Sequence, residues 1–480
     1  MKQDDVLKQQ AYAAVENQGE TVKNDPYYPG FHLAPPTGLL NDPNGWIQWN
    51  GTYHLFFQWM PFETGHGAKF WGHYTSEDLV YWKLEPIALT PSDWFDKNGC
   101  YSGSAITEGD KLKIFYTGNV KDEHNNRESY QILAESDDGI SFIKKGVKIR
   151  LPENYTAHFR DPKVWSHGGS WYMVIGAQTK DERGAVVLFE SKDLEEWTHR
   201  GILSHADQKP LTDLGYMWEC PDLFELGGKD VLMFSPQGIE ADEIHYNNKY
   251  QTGYVKGKLD YELGVYNHGT FTELDRGFEF YAPQSTLDDK GRRIVIGWMG
   301  VPDQNEKLQP TVVNGWVHQM TLPREILLKG EDLFQRPLTE MKELRINERI
   351  NTTINGAISL EIERTSEVLI DGCIDSMDLF DYAKLKYEPQ SRMLTLERQS
   401  YTDGKIEERS CILKDPLHHL QIFVDHSSLE IFVNRGEEVF TSRVFADPSN
   451  RILKINSQNS PGLKVWNLKS DTIKLENFKR

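Results

Sequence analysis

Cysteine is scarce: the chain of 480 residues has four, Cys100, Cys220, Cys373 and Cys411, far apart and without a CxxC pair. That spacing excludes a zinc ribbon and a disulfide framework. Long hydrophobic runs are missing too, and none approaches the ~20 apolar residues that span a bilayer. No DxDxDG loop of the calcium-binding kind occurs, and no metal or cofactor is implied. Positive charge is in short supply, with 53 Lys and Arg against 72 Asp and Glu and a formal net charge of -19. No basic run offsets this locally, which argues against nucleic acid and anionic membrane surfaces as partners. The first residues, Met1-Lys2-Gln3-Asp4-Asp5, lack the basic and apolar stretches of a secretion signal, and a cytoplasmic location is expected.

Hairpin signals, by contrast, recur at nearly constant spacing. Asn50-Gly51, Gly109-Asp110, Gly168-Gly169, Gly227-Gly228 and Lys290-Gly291 each lead into an apolar, β-branched or aromatic run, and successive turns lie 59, 59, 59 and 63 residues apart. A tail motif follows three of the runs: Ser76-Glu77-Asp78-Leu79 with Trp82, Ser136-Asp137-Asp138 with Phe142, and Ser191-Lys192-Asp193-Leu194 with Trp197. Repeats of this length without long helices between them predict an all-β fold that begins as a five-bladed β-propeller, with function at its central channel.

The chain is too long for one ordinary core. We expect a helical segment over 1–27, its helix at 4–20 packed outside the first blade, and the propeller over 28–335. A linker helix within 336–350, read at 338–347, leads to a β-sandwich over 351–480, where short strands occupy 357–362, 394–398, 419–424 and 429–433. The sandwich serves as a homodimer surface or as a cap on the propeller, two roles the sequence leaves open. Asp425-His426 beside Ser427-Ser428 has the composition of a hydrolase triad, but such neighbours form a turn.

The segment upstream of each hairpin is the expected innermost strand of its blade: 40–45, 101–105, 160–164, 219–223 and 281–285. Asp42, Asp161 and Glu219 precede their turns by eight, seven and eight residues, which puts the three carboxylates in corresponding positions around the channel. Pro43, Pro162 and Pro221 follow within two residues. They mark edges or bulges, as an axial strand beside an open pocket permits. Converging carboxylates hold a hard cation, shuttle protons, or divide into nucleophile and acid for glycoside hydrolysis. Aromatic platforms and polar donors suited to a sugar lie in or beside these strands, among them Gln58, Trp71, Tyr101, Ser102 and Trp298.

NDPNG with FFQW, GAKFWGHYTSEDLVYW, CYSGSA, FRDPKVW, MWECPDLF and YQTGY, in this order, resemble the family 32 glycoside hydrolases, and DHSSLEIFVNRGE resembles their C-terminal sandwich. The resemblance covers nearly the whole chain. It implies hydrolysis of a terminal β-fructofuranosyl bond with retention, with Asp42 as nucleophile, Glu219 as acid/base and Asp161 as stabiliser of the transition state. Asn41 and Arg160 join the expected sugar contacts. Retention wants the two reacting carboxyls roughly 5 to 5.5 Å apart. A raised pKa is expected at Glu219, and a lower one at Asp42 through hydrogen bonds from Asn41 or Asn44. Arg160 poses a problem, because alternate residues of a regular strand point to opposite faces and only a bulge before Pro162 lets it share a site with Asp161.

A cytoplasmic enzyme of this kind meets sugars phosphorylated during uptake, so the expected substrate is sucrose 6-phosphate, sucrose or both. His66, Lys69, His245 and Lys249 are the candidate phosphate ligands. A fructan-degrading exo-fructosidase, an inverting pentosan hydrolase and a carbohydrate-binding propeller without catalysis remain alternatives.

Overall fold

The computed structural model describes residues 2–475. Its one long helix, Gln3–Lys23, carries Asp4 and Asp5 in the first turn and Lys23 in the last, which suits the helix dipole. Leu7, Tyr12 and Val15 pack beside the buried Ala11 against the core of the first blade, and Asp4 accepts a 2.6 Å hydrogen bond from Thr90. The helix runs through Gly19, where the sequence suggested its end. An internal glycine costs about 1 kcal/mol relative to alanine, and packing on the blade offsets that. Among the described residues no helix is long and apolar enough to cross a membrane.

Five sheets of four or more strands follow, antiparallel except for the two parallel edge strands of the first. Their innermost strands are Gly38–Trp49, Cys100–Glu108, Tyr155–His167, Met217–Leu226 and Tyr281–Leu287, and they contain the five segments read from the sequence. Neighbouring inner strands pack side by side and the first meets the fifth, so the ring of blades closes. Blade one takes strands from elsewhere in the chain: Trp316–Val317 pairs with its inner edge at Gly38 and Leu39, and Ile473–Lys474 with its outer edge at Trp82 and Lys83. The recurrent Ser-x-Asp motif caps the outer turns. Ser76, Ser136 and Ser191 accept hydrogen bonds of 2.8 to 2.9 Å from the backbone three residues on. Asp78, Asp138 and Asp193 each accept two more. Leu79, Gly139 and Leu194 take positive φ at this turn, 67°, 73° and 66°.

Each inner strand is broken at the same level. The pairing slips between Leu40 and Pro43, Cys100 and Gly103, Arg160 and Lys163, Glu219 and Asp222, and Tyr281 and Gln284, so that two residues face one on the partner strand. These are β-bulges, which re-aim side chains next to a site.

The segment 338–347, expected to be helical, forms a short 3-10 helix over Thr339–Leu344, and a strand begins at Arg345. Six residues are too few to offset the cost of nucleating an α-helix. Beyond it lie two six-stranded antiparallel sheets packed as a sandwich around a core that includes Val368, Leu385, Leu394, Ile422 and Leu429. Residues 476–480, at the end of the expected sandwich segment, lie outside the described residues.

Buried charge joins sandwich to propeller. His32 lies between Asp425 at 2.8 Å and Glu430 at 2.9 Å, with all three side chains fully buried. Glu430 also receives Arg324, which reaches Asp275 at 2.9 Å, and Arg398 pairs with Glu279 at 2.6 Å. The Asp425 turn is thus structural: its carboxylate accepts the backbone N–H groups of Gly30, Phe31 and His32 at 2.7 to 3.2 Å. Burial alone would lower the pKa of His32, but the hydrogen bonds and charges of Asp425 and Glu430 outweigh it and raise the value from 6.5 to about 9. The folded state therefore holds this proton more tightly than the unfolded chain, and the stabilisation is full below pH 6.5 and lost as pH rises through about 9. His32→Gln leaves two buried carboxylates short of a cation and is expected to cost about 3–5 kcal/mol. Thermal melts at pH 6 and 9.5 check both statements: wild type loses stability across that interval and the variant loses less. An equal pH dependence in both would overturn the assignment.

Candidate active site

The bulges decide what faces the channel. Asp161 has φ of 69°, Cys220 of 49° and Ala282 of 48°, left-handed values that break the alternation of a strand and that a non-glycine residue adopts only when its surroundings hold it there. Arg160 and Asp161 consequently both line one cavity of about 500 Å³, with Asp42 and Glu219. The bulge before Pro162 is the feature required to bring them together. Equal offsets suggested corresponding positions for the three acids, and the pairing corrects this by one residue at each blade. Glu219 is the last paired residue before its bulge, Asp161 the first residue within its bulge and Asp42 the second. A further bulge between Asn44 and Ile47 and a hairpin arm one residue longer in blade one made Asp42 and Glu219 look equidistant from their turns.

Each carboxylate is held differently. Asp42 accepts Ser102 and Gln58 at Oδ2, the latter at 3.3 Å, and Asn41 at Oδ1, 3.1 Å. Asp161 accepts the backbone N–H of Cys220 at 2.9 Å, and its own N–H donates to Thr117 at 3.0 Å. The Cys220 thiol lies 3.6 Å from Asp42 and 3.5 Å from Asp161. Glu219 takes both Nε and Nη2 of Arg160 on Oε1, at 3.1 and 2.6 Å. Its Oε2 accepts Gln237 at 2.7 Å and the Tyr281 hydroxyl at 2.6 Å.

Electrostatics follow from this arrangement and differ from expectation. Burial, then the charge of Glu219, raises Asp42 above the usual carboxylate range despite its hydrogen bonds from Ser102 and Asn41. Burial also raises Asp161, against the pull of Arg160 and with the repulsion of Glu219 and Asp42, to about 7. The lower value expected at Asp42 is thus not what the structure gives. Glu219 sits in an ion pair with Arg160, and sequence reading had no means of seeing that Arg160 and two further donors would reach it.

The remaining candidates divide. Asn41, Gln58, Tyr101, Trp298, His66 and Lys69 line the cavity. Trp71 does not: it is fully buried and its indole N–H supports the carbonyl of Tyr101 at 3.1 Å. Ser102 acts through Asp42 rather than at the cavity wall. His245 is committed to Glu273 at 2.8 Å, and the ammonium of Lys249 lies 5.7 Å from the Tyr250 ring; neither lines the cavity. Missed were Gln237 and Tyr281 on Glu219, and Asn98, Asn119, Lys121, Arg127 and Asp303 on the walls. Tyr281 heads the fifth inner strand, and its place beside a bulge was the available signal. Asn119, Lys121 and Arg127 stand at strand ends of blade two and Asn98 and Asp303 in loops, positions that no spacing in the sequence ties to the channel.

Three carboxylates of unlike environment, in a cavity whose lining also offers amide, hydroxyl and aromatic side chains, are the equipment of a glycoside hydrolase, and this protein is one. It belongs to glycosyl hydrolases family 32: residues 32–337 match the family's N-terminal domain and residues 373–476 its C-terminal domain. The sucrose-6-phosphate hydrolase of Bacillus subtilis is 52% identical over 97% of this chain and 99% of its own length. That of Salmonella typhimurium is 45% identical over 89% and 91%. Among solved structures, the sucrose-6-phosphate hydrolase of Lactobacillus gasseri superposes with a TM-score of 0.89 at 32% identity, covering 96% of this chain and 99% of that one. A β-fructofuranosidase of Bombyx mori in complex with sucrose gives 0.86 at 32% identity, covering 98% and 99%.

A carboxyl whose folded pKa stands at about 7 against a usual 3.8 binds its proton more tightly in the folded state, so its ionisation costs stability as pH rises between those values and by a constant amount above. Asp161→Asn removes that cost. The variant is expected to gain on wild type by about 1 kcal/mol per pH unit between pH 4 and 7, while losing activity. Denaturant unfolding at pH 5 and 8 tests this, and a stability difference independent of pH would refute the raised pKa.

Proposed function

We propose that the protein hydrolyses the terminal β-D-fructofuranosyl bond of sucrose 6-phosphate, and of sucrose, with retention. The observation that carries this reading is the convergence of Asp42, Asp161 and Glu219 in one cavity of a family 32 chain. The names of its bacterial relatives and the sucrose held by the Bombyx mori structure support the substrate. The chemistry belongs to the propeller, 28–335, and a disaccharide phosphorylated on uptake suits a cytoplasmic enzyme.

In this mechanism Asp42 attacks the anomeric carbon of the fructosyl unit. Its orientation comes from Ser102, Gln58 and Asn41, which fix both carboxylate oxygens. Glu219 gives a proton to the oxygen of the departing glucose, then accepts one from the water that releases fructose from Asp42. The Arg160 pair and the Tyr281 and Gln237 donors hold Glu219 in place between those steps. Asp161, which is held by the Cys220 backbone, binds hydroxyls of the fructose ring. Its negative form also offsets the positive charge that develops on that ring in the transition state.

Reducing-sugar release from sucrose 6-phosphate and from sucrose, by wild type, Asp42→Asn and Glu219→Ala, tests the reading. Wild type should cleave at least one of the two disaccharides, and Asp42→Asn should reduce kcat roughly a thousandfold or more, the scale of losing a covalent nucleophile. The first fructose released should be the β-anomer, which NMR of early time points reveals. Release of the α-anomer would turn the mechanism into an inverting one, and folded wild type inactive on both substrates would transfer the proposal to longer fructans.

A further inference from the structure

One side of the cavity is positively charged in a protein of net charge -19. It is built by blade two. Lys121 ends the strand Lys111–Lys121, Arg127 begins the next, Arg127–Ser136, and the two stand directly opposite each other in the pairing. Like charges so placed destabilise a hairpin, and acids that would neutralise them are at hand. Each of those acids is committed elsewhere. The carboxylate of Asp122 is consumed by its own loop, accepting the backbone N–H groups of His124 and Asn126 and the Asn126 amide, all at 2.8 Å. Glu123 pairs with His124, and Glu128 takes the hydroxyl of Tyr130. Lys121 and Arg127 make no ion pair among the described residues, and both line the cavity.

The place of the pair is fixed. The backbone N–H of Lys121 donates to the side chain of Asn98 at 2.7 Å, and Asn119 donates to the carbonyl of Asn98 at 3.1 Å. Both asparagines line the same cavity. Next to them lies Lys69, whose carbonyl accepts from Cys100 of blade two at 2.8 Å. Its ammonium is buried, 3% of the residue being exposed, has no hydrogen-bond partner among the described residues, and also lines the cavity. Lys121 and Arg127, two cations without an ion-pair partner among the described residues, thus face the cavity that holds the carboxylates, whereas burial lowers the pKa of Lys69 to about 7 and its charge acts on Asp42. Asp303 is the one further acid in the lining.

We propose that Lys121 and Arg127 are specificity-determining residues that bind the phosphoryl dianion on the leaving sugar. The inference rests on the hydrolase reading above. The fructosyl ring must lie against the carboxylates to react, so the glucose unit and its phosphoryl group point away from them, toward the remaining wall. A dianion there relieves the repulsion between the two opposed cations and is gripped in charge-assisted hydrogen bonds, of which the Arg127 guanidinium supplies a fork.

The test compares kcat/KM on sucrose 6-phosphate and on sucrose for wild type, Lys121→Gln, Arg127→Gln and the double variant, with Lys121→Arg and Arg127→Lys as charge-keeping controls. The ratio of the two constants should favour the phosphorylated sugar at least tenfold in wild type. It should fall roughly tenfold with each charge removed, and the controls should keep most of it. A second measurement needs no variant: glucose 6-phosphate should inhibit wild type at least tenfold more tightly than glucose, an advantage that shrinks with added salt. If the double variant keeps the wild-type ratio within twofold, the phosphoryl group is read elsewhere and the inference fails. If wild type cleaves both sugars with equal kcat/KM, the inference fails while the hydrolase reading stands. If folded wild type releases fructose from neither, both fall.

Discussion

One extra residue in each axial strand is the constraint from which the site follows. A regular strand sends alternate side chains to opposite faces, so an inner blade strand would show the channel only every second residue. At this level of the ring all five strands carry two residues opposite one. The consecutive residues Arg160 and Asp161 thereby reach the same cavity, and Asn41 with Asp42 does so in blade one. The proline after Asp42, Asp161, Cys220 and Ala282 has no N–H to offer the ladder, and a bulge is where its absence costs least. Closure of the ring turns five such local defects into one concave surface.

That surface gathers charge which the fold would otherwise reject. Asp42 and Asp161 are nearly buried, and burial is the largest influence on both. The structure offsets it with fixed dipoles and two cations: the backbone N–H of Cys220 and the charge of Arg160 on Asp161, and three side-chain donors and the charge of Lys69 on Asp42. Preorganised groups of this kind favour the transition state because they need not reorient as charge develops. The strain is borne by rigid surroundings. Seams such as His32 with Asp425 and Glu430, and Arg324 with Glu430 and Asp275, tie the sandwich to the back of the blades. The strand Ile473–Lys474 fastens the far end of the chain to blade one.

The fold was legible because its signals are local and repeated. Two-residue turns with glycine, alternating strands and the Ser-x-Asp cap each specify their geometry within a few residues, and five copies fix the period. The three carboxylates were legible through the same period, within one residue. What escaped depends on contacts between segments far apart in the chain. Arg160 reaches Glu219 across 59 positions and Tyr281 reaches it across 62. Nothing in local spacing announces either. Trp71 was misread for a related reason, since a tryptophan in a strand looks the same whether its indole faces a sugar or a neighbouring carbonyl. The linker over 338–347 has helix-forming composition, but its neighbours are strands on both sides and leave it room for a short 3-10 helix.

The distribution of charge inside the cavity has a consequence for how a disaccharide is oriented. An acidic floor attracts the half of the substrate that becomes positive during reaction and repels a phosphoryl group. A wall carrying Lys121 and Arg127 does the reverse. A neutral sugar with two furanosyl or pyranosyl ends experiences little of this and must be sorted by shape and hydrogen bonds alone. For a substrate anionic at one end, the floor and wall act together, and each wrong placement brings like charges into contact in a partly desolvated space where screening is weak. Discrimination of this kind rests as much on rejection as on attraction. The lining that makes the fructosyl site reactive thereby also helps decide which end of the substrate enters it first.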